Sequence, residues 1–257
     1  MRFDILFFAL AVSLASASAH ADEGFRTVDF KTAGGIRARA DVYDSAPASA
    51  TWIVLFHQAG WSRGEYREIA PVLVKKGYRV MAVDQRSGRA VKGVTNETHR
   101  RAEKKKLSTG YLDAYPDLEA ALLYARRELG ARRVVVWGSS YSASLVLRLA
   151  AEHADDVHAV MSFSPGEYFE PQGARYVSAF AGRVRQPLFV TSSKSERAQV
   201  EPIFDASPSE KKILFTPASR GQHGSRALWA RWPDNDVYWA AVNGFLESYA
   251  PPKPPAD

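Results

Sequence analysis

The chain has 257 residues, with 34 Lys and Arg against 28 Asp and Glu and no cysteine. This composition excludes disulfide bonds, catalytic thiols and thiolate metal sites, and the length suits one domain with a sizeable core. Much of the basic excess lies in residues 89–106 without interleaved aromatic side chains, so no nucleic-acid partner is expected.

The N-terminus is predicted to be a secretory signal peptide over residues 1–21. Arg2 supplies a basic start, residues 5–15 are apolar, and small residues flank His20 as in a cleavage site. An uncleaved anchor is the alternative, but the apolar run is short for a membrane span. We therefore expect a periplasmic or secreted protein without stable membrane insertion after cleavage, and a single domain over residues 22–250.

Predicted strands and helices alternate along the mature chain. Residues 25–30 and 36–42 flank a glycine pair, which predicts a hairpin. Further strands are predicted at 51–56, 78–83, 133–137, 157–162, 187–191 and 212–216. Helices are predicted at 63–76, 116–129, directly after Ser140, at 197–206 and at 227–249. This alternation predicts an α/β fold, with a mostly parallel, doubly wound sheet of about eight strands and helices on both faces.

Three segments lack a clear apolar period. Residues 89–110 form a polar, basic insertion, and residues 167–186 are irregular to weakly helical. The segment between Pro165 and Pro187 is too short for a large cap domain. The proline-rich tail, residues 251–257, is expected to fray.

Ser140 is the candidate nucleophile. It lies where an apolar run changes abruptly into a helical pattern, and a serine on such a turn has an exposed hydroxyl above a helix N-terminus. A serine hydroxyl needs a base, and His223 is the candidate because it follows the last predicted strand in a glycine-flanked loop. His153 and His158 are expected to be structural, and His99, in the basic insertion, to be solvated. His57 ends a strand at the correct edge of the sheet, but the small residues after it indicate a different role.

The order of these motifs resembles the α/β-hydrolase fold family, in particular its dienelactone-hydrolase-like esterases. The resemblance covers residues 25–249 and rests on four short motifs: Gly138-Ser139-Ser140-Tyr141-Ser142, His57-Gln58-Ala59-Gly60, Asp84-Gln85-Arg86-Ser87-Gly88 and His223-Gly224. It implies that Ser140 is the nucleophile and His223 the base. It also implies an oxyanion hole made by the amide of Tyr141 and that of Ala59, with Gln58 as the second choice.

The acid that orients His223 is predicted among the carboxylates after neighbouring strands. Ser195 occupies the position where the family usually has aspartate, so the adjacent Glu196 is the first choice. Glu167 is second and Asp205 third. The alternative for Glu196 is that it only caps the following helix.

Side chains on the loops at this edge of the sheet are candidates for a substrate pocket, with core packing as the alternative. They are His57, Trp61, Tyr168 and Phe169. Asp84 and Arg86 are expected to be structural.

The resemblance implies a serine hydrolase that cleaves carboxylic esters through an acyl-enzyme, without metal or cofactor. The predicted signal peptide makes it an exported one, and the lack of room for a cap favours small, soluble substrates. Two alternatives remain. One is a non-catalytic periplasmic binding protein that keeps the fold, since Gln58, Ser142 and Ser195 depart from the common family residues. The other is a peptidase or acyl transferase with the same triad, because the motif does not specify the acceptor.

Overall fold

The computed structural model describes residues 24–33, 35–48 and 50–253. The predicted signal peptide and the last four residues lie outside this part of the chain. None of the helices within it is long and apolar enough to cross a lipid bilayer.

Eight strands form one mixed sheet in the order β1-β2-β4-β3-β7-β8-β9-β10. The strands of this sheet are β1 (Arg26–Lys31), β2 (Arg37–Tyr43), β3 (Trp52–Phe56), β4 (Arg79–Asp84), β7 (Val134–Ser139), β8 (Ala159–Phe163), β9 (Leu188–Thr191) and β10 (Lys212–Phe215). A separate ribbon contains β5 (Ala90–Val91) and β6 (Val94–Thr95). Strand β2 runs antiparallel to β1 and β4, and the other neighbours in the sheet are parallel. The predicted fold class is confirmed.

Helices cover both faces of the sheet. They are α1 (Ile69–Lys75), α2 (Glu97–Lys104), α3 (Tyr115–Arg127), α4 (Tyr141–Glu152), α5 (Tyr176–Ala181), α6 (Arg197–Ala206) and α7 (Asn235–Tyr249). Side chains of β3 alternate between two apolar clusters, with Val54 and Phe56 on one face and Ile53 and Leu55 on the other. Because both faces are covered, the strand is apolar throughout instead of alternating with polar residues. A short 3-10 turn (Glu170–Gln172) and the short helix α5 lie between β8 and β9, so this segment contains no large cap.

The basic insertion is more ordered than its sequence predicts. It contains the β5–β6 ribbon and α2, whose first turn is capped by the side chain of Asn96. Arg101 extends from α2 to form an ion pair of 2.9 Å with Asp29 on β1. Because polar side chains hold this segment in place, its sequence shows no apolar periodicity that would predict the ribbon or the helix.

Two predictions at the C-terminus differ from the structure. The last helix begins at Asn235, whereas residues 225–228 form a short 3-10 helix. The tail does not fray at its start, because the backbone carbonyls of Pro251 and Pro252 accept hydrogen bonds from Thr51 at 2.7 and 2.8 Å. Thr51 directly precedes β3, so this contact ties the tail to the centre of the sheet.

Candidate active site

Ser140 stands on a strained turn between β7 and α4. Its backbone has φ +59° and ψ −124°, a conformation that side-chain-bearing residues seldom adopt. The Ser140 amide donates to the carbonyl of Phe163 at 2.8 Å, which fixes the turn to β8. Gly138 is required there, because a Cβ atom at that position would lie 2.2 Å from the carbonyl oxygen of Ser142. The strand and the helix can therefore approach closely, as the predicted turn requires.

The hydroxyl of Ser140 lies beside Tyr168 in this structure. The Tyr168 hydroxyl donates to the carbonyl of Ser164 at 3.0 Å. Burial raises the pKa of Tyr168 to about 12, although an interaction with Ser140 acts in the opposite direction. Among the described residues, no hydrogen bond joins the Ser140 hydroxyl to His223. Catalytic hydrogen bonds are often long before a substrate binds.

His223 is oriented by Glu196. The His223 ring donates a short hydrogen bond from Nδ1 to Oε1 of the carboxylate, which leaves Nε2 unprotonated in the neutral ring. Oε2 of Glu196 accepts from the hydroxyl of Ser164 at 2.9 Å and from that of Ser193 at 2.8 Å. Burial alone would raise the pKa of Glu196, but the hydrogen bonds from His223 and Ser193 lower it to about 2. The carboxylate is therefore ionised at neutral pH.

The alternative role of Glu196, as a cap of the following helix, does not occur, because its side chain makes no capping hydrogen bond at the start of α6. One oxygen instead closes a capping box with Ser193 over the short 3-10 turn before α6, and the other holds His223. The second and third candidates lie elsewhere. The carboxylate of Glu167 accepts from the amides of Val177 and Ser178 at 2.6 and 2.8 Å, at the start of α5. Asp205 is an exposed residue of α6.

The loop that carries His223 is anchored next to the turn at Ser140. The amide of Gly224 donates to the Ser164 hydroxyl at 3.0 Å, and the amide of Ser225 donates to the Ser139 hydroxyl at 2.9 Å. Gly224 has φ +70°, and a Cβ atom there would lie 2.5 Å from the Ser139 hydroxyl oxygen. Glycine is therefore needed after the histidine for both its backbone conformation and its close approach.

In the part of the chain that the structure describes, the loop after β3 leaves the first-choice amide, that of Ala59, without an acceptor. The Gln58 amide donates to Oε2 of Glu65 at 2.7 Å, so the second-choice donor already has a partner. The Ala59 amide has no acceptor among the described residues. The Tyr141 amide opens α4, where the first N–H groups lack partners within the helix. Both predicted donors, the amides of Ala59 and Tyr141, are therefore available to a developing negative charge.

Ser142, which departs from the family glycine, holds this loop against the turn. Its hydroxyl donates to the carbonyl of His57 at 2.6 Å and accepts from the side-chain amide of Gln85 at 2.6 Å. The same amide group donates to the His57 carbonyl at 3.1 Å. Serine at this position therefore adds hydrogen bonds that glycine could not make, and these join the segment after β4, the loop after β3 and α4.

The placement of His57 in a substrate pocket was wrong. Its side chain is fully buried, and burial lowers its pKa to about 4. Nδ1 donates to the carbonyl of Gln58 at 2.8 Å, while Nε2 accepts from the Gln85 amide at 3.2 Å and from Asn96 at 3.1 Å. A histidine with both ring nitrogens bonded inside the protein cannot contact a substrate.

The three aromatic pocket candidates have different environments. Phe169 is only 3% exposed and packs in the core against Tyr176, which corrects its assignment to the pocket. Trp61 is partly exposed and stacks on Trp229 with ring centroids 5.2 Å apart. Tyr168, 38% exposed, is the candidate that lies beside Ser140.

Asp84 and Arg86 have the structural roles expected of them. Arg63 pairs with buried Asp84 at 2.7 Å, and Arg86 pairs with buried Asp117 at 2.7 Å. The first pair links the end of β4 to the segment before α1, and the second links the loop after β4 to α3.

Sequence reasoning missed Glu65, which lies directly behind the turn. This residue is fully buried in a short 3-10 helix, and burial raises its pKa to about 7. Its oxygens accept from the Ser139 hydroxyl and the Gln58 amide. Nothing in its sequence context separates it from an exposed glutamate of an amphipathic segment.

Comparison with known proteins agrees with this architecture. A family model described as alpha/beta hydrolase fold matches residues 51–199. No curated protein gives a significant match to the chain.

Solved structures with similar folds include proteins described as hydrolases and esterases. A dienelactone hydrolase from Anabaena variabilis has a TM-score of 0.68 at 16% identity, covering 88% of this chain and 97% of that one. An esterase from Pyrococcus furiosus has a TM-score of 0.67 at 18% identity, covering 93% and 97%. Esterase 2 of Thermogutta terrifontis, in a form phosphoramylated by tabun, has a TM-score of 0.61 at 16% identity, covering 90% and 97%. At these identities the likeness shows the fold.

Proposed function

The chain belongs to the α/β-hydrolase fold family, and from that premise we propose that it is a serine hydrolase that cleaves small carboxylic esters. One observation carries this proposal. His223 is held by an ionised Glu196 with its Nε2 free, in a loop anchored to the residue next to Ser140. A serine, a histidine and a carboxylate in this arrangement are the parts that acyl transfer requires.

The proposed reaction begins when substrate brings the Ser140 hydroxyl within reach of His223 Nε2. His223 removes the hydroxyl proton as the serine oxygen bonds to the ester carbonyl carbon. The amides of Tyr141 and Ala59 donate to the resulting oxyanion, and each such donor contributes about 2.7–4 kcal/mol to catalysis. The intermediate collapses as the alkoxide leaves with the proton from His223, and the acyl group stays on Ser140.

Water completes the cycle. His223 removes a proton from the water as its oxygen attacks the acyl carbon, and then returns the proton to Ser140 as the acid product leaves. Glu196 keeps its negative charge throughout and stabilises the protonated ring of His223. The low pKa of Glu196 supports this role, because the carboxylate does not take up a proton near neutral pH.

We also propose that residues 1–21 direct export and are removed after Ala21. The support is the basic start, the apolar run and the small residues around His20. Mass measurement of the mature protein, expressed at full length in a secreting bacterial host, would show a chain beginning at Asp22. A mature chain that keeps its first residues would contradict the proposal.

A fluorophosphonate probe tests whether Ser140 is activated. We expect one probe molecule per chain, attached to Ser140, and none on Ser140→Ala. The matched control is Ser195→Ala, because Ser195 is exposed and adjacent to Glu196. Unchanged labelling of Ser140→Ala, or no labelling of the wild type, would exclude the proposed nucleophile.

A further inference from the structure

Two of the large apolar or aromatic side chains that are exposed lie at the candidate active site. In the described part of the chain the exposed ones are Tyr111 at 43%, Tyr168 at 38%, Ile213 at 36% and Val237 at 44%. Ile213 lies on the edge strand β10 and Val237 on α7. Both tyrosines belong instead to the surroundings of Ser140, as their contacts show.

Tyr168 contacts Ser164, whose own hydroxyl donates to Glu196. Its hydroxyl is fixed to the carbonyl of Ser164, and the charge of Glu196 helps to raise its pKa. The phenol is thus protonated and anchored, while more than a third of the side chain stays open to solvent. The ring has a defined position that a ligand could use.

Tyr111 lies over the residue that follows the nucleophile. Its ring stacks on that of Tyr141 with centroids 4.8 Å apart and an interplanar angle of 19°. The Tyr141 ring is buried, and its hydroxyl donates to the carbonyl of Ser87 at 3.1 Å. Tyr111 therefore rests on a rigid support. It also lies near enough to Tyr168 to affect the pKa of that phenol.

A cavity of about 490 Å³ has Tyr168 in its wall. Its walls come from the loop after β8 and from α5 and α6, and they include the apolar residues Ala174, Pro202 and Ile203. Glu167 also borders it, but its carboxylate is bonded to the first amides of α5. The cavity is large enough for a flat apolar group, and the Glu167 carboxylate at its border is already hydrogen-bonded.

We propose that Tyr111 and Tyr168 bind an aromatic ring of the substrate beside Ser140, so that the preferred substrates are esters with an aromatic group close to the carbonyl. This specificity rests on the proposed function. Aromatic pairs contribute beyond the area that they bury, equivalent to roughly 2- to 12-fold in affinity for each ring. A saturated ring of similar size buries comparable area but lacks that additional contribution.

Two pairs of matched esters test the proposal. Benzyl acetate and cyclohexylmethyl acetate place the ring on the alcohol side. Methyl phenylacetate and methyl cyclohexylacetate place it on the acyl side, with the carbonyl insulated from the ring in both. We expect kcat/KM to favour the aromatic member of at least one pair by roughly 2- to 12-fold for each contacting tyrosine. The pair that shows the preference identifies which part of the ester the tyrosines bind.

Variants separate the ring from the hydroxyl. Tyr111→Leu and Tyr168→Leu are each expected to reduce the aromatic preference, and the double variant to abolish it. Tyr111→Phe and Tyr168→Phe keep the rings and should retain the preference. Val237→Ala, which removes part of an exposed side chain on α7, should leave the ratio unchanged.

The outcomes distinguish this proposal from the one on which it rests. If kcat/KM is equal within both pairs, or if the preference survives in the double variant, the aromatic site is overturned. Continued labelling of Ser140 by fluorophosphonate would then show that the proposed hydrolase still stands. Failure to turn over any of the four esters, together with no labelling of Ser140, would overturn the proposed hydrolase as well.

Discussion

The buried carboxylate of Glu65 accepts a hydrogen bond of 2.7 Å from the hydroxyl of Ser139, the residue directly before the strained serine. Its other oxygen accepts from the Gln58 amide, also at 2.7 Å. The Ser139 hydroxyl accepts in turn from the Ser225 amide at 2.9 Å. One side chain thus links the three segments that carry the proposed nucleophile, oxyanion donor and base.

Glu65→Gln is expected to destabilise the fold and to slow catalysis. A glutamine would direct an N–H group at the Gln58 amide or at the Ser139 hydroxyl, and so would lose one of the two hydrogen bonds that Glu65 accepts. Leaving that buried donor without an acceptor lowers the free energy of unfolding by about 1–3 kcal/mol. Because the loop beside Ala59 would shift, kcat should fall more than KM rises. Urea unfolding and steady-state kinetics measure both effects. Glu68→Gln, at a partly exposed ion pair with Lys92, is the control and should change stability by no more than about 0.5 kcal/mol.

The stability of the protein should depend on pH through Glu65. Burial raises its pKa from 4.5 to about 7, so the folded state holds this proton more tightly than the unfolded state. Its stabilising contribution is therefore complete below pH 4.5 and is lost as the pH rises through about 7. Since Glu65→Gln does not titrate, the stability advantage of the wild type over it should shrink between these pH values. An advantage that stays constant over the range would contradict this titration.

The candidate residues were predictable where they follow recognisable strands. Ser140 directly follows a run of strand residues, and His223 lies in a glycine-flanked loop after the last strand, so both could be proposed from the sequence. Glu196 could be proposed only as the nearest carboxylate, since Ser195 occupies the usual place. Its selection depends on the loop that brings its Oε1 to His223, which is a tertiary contact.

Other residues could not be predicted, because their roles arise from packing. Glu65 becomes important through partners distant in sequence, Ser139 among them. Tyr111 lies just after the basic insertion, in which no periodic pattern marks the ordered ribbon and helix. His57 was placed in the pocket because its strand ends at the correct edge, although the loop turns its ring inward to bond Asn96.

Replacing the carboxylate that holds His223 should abolish most activity. Glu196→Gln can present an N–H to the ring and so favours the wrong tautomer, and kcat is expected to fall by roughly 10⁴-fold. Glu167→Gln should retain kcat within a few fold while lowering stability, because Glu167 caps α5. Ester hydrolysis and thermal unfolding of the two variants measure these effects. A large loss of kcat in Glu167→Gln alone would move the acid to that residue.

Ser142→Ala tests whether the departure from the family glycine stabilises the site. The variant loses the hydrogen bonds to the His57 carbonyl and to Gln85, both in the buried interior, so the free energy of unfolding should fall by about 1–3 kcal/mol. Urea unfolding measures the change. Ser248→Ala, in the exposed end of α7, is the control. Equal stability of Ser142→Ala and the wild type would show that these bonds add nothing.

Rapid-quench mass spectrometry during hydrolysis of p-nitrophenyl acetate measures whether Ser140 becomes acylated. We expect one acetyl group on Ser140 of the wild type while turnover proceeds, and none on Ser140→Ala, which should not turn over. Turnover without an acetyl group on Ser140, or unchanged turnover by Ser140→Ala, would contradict this expectation.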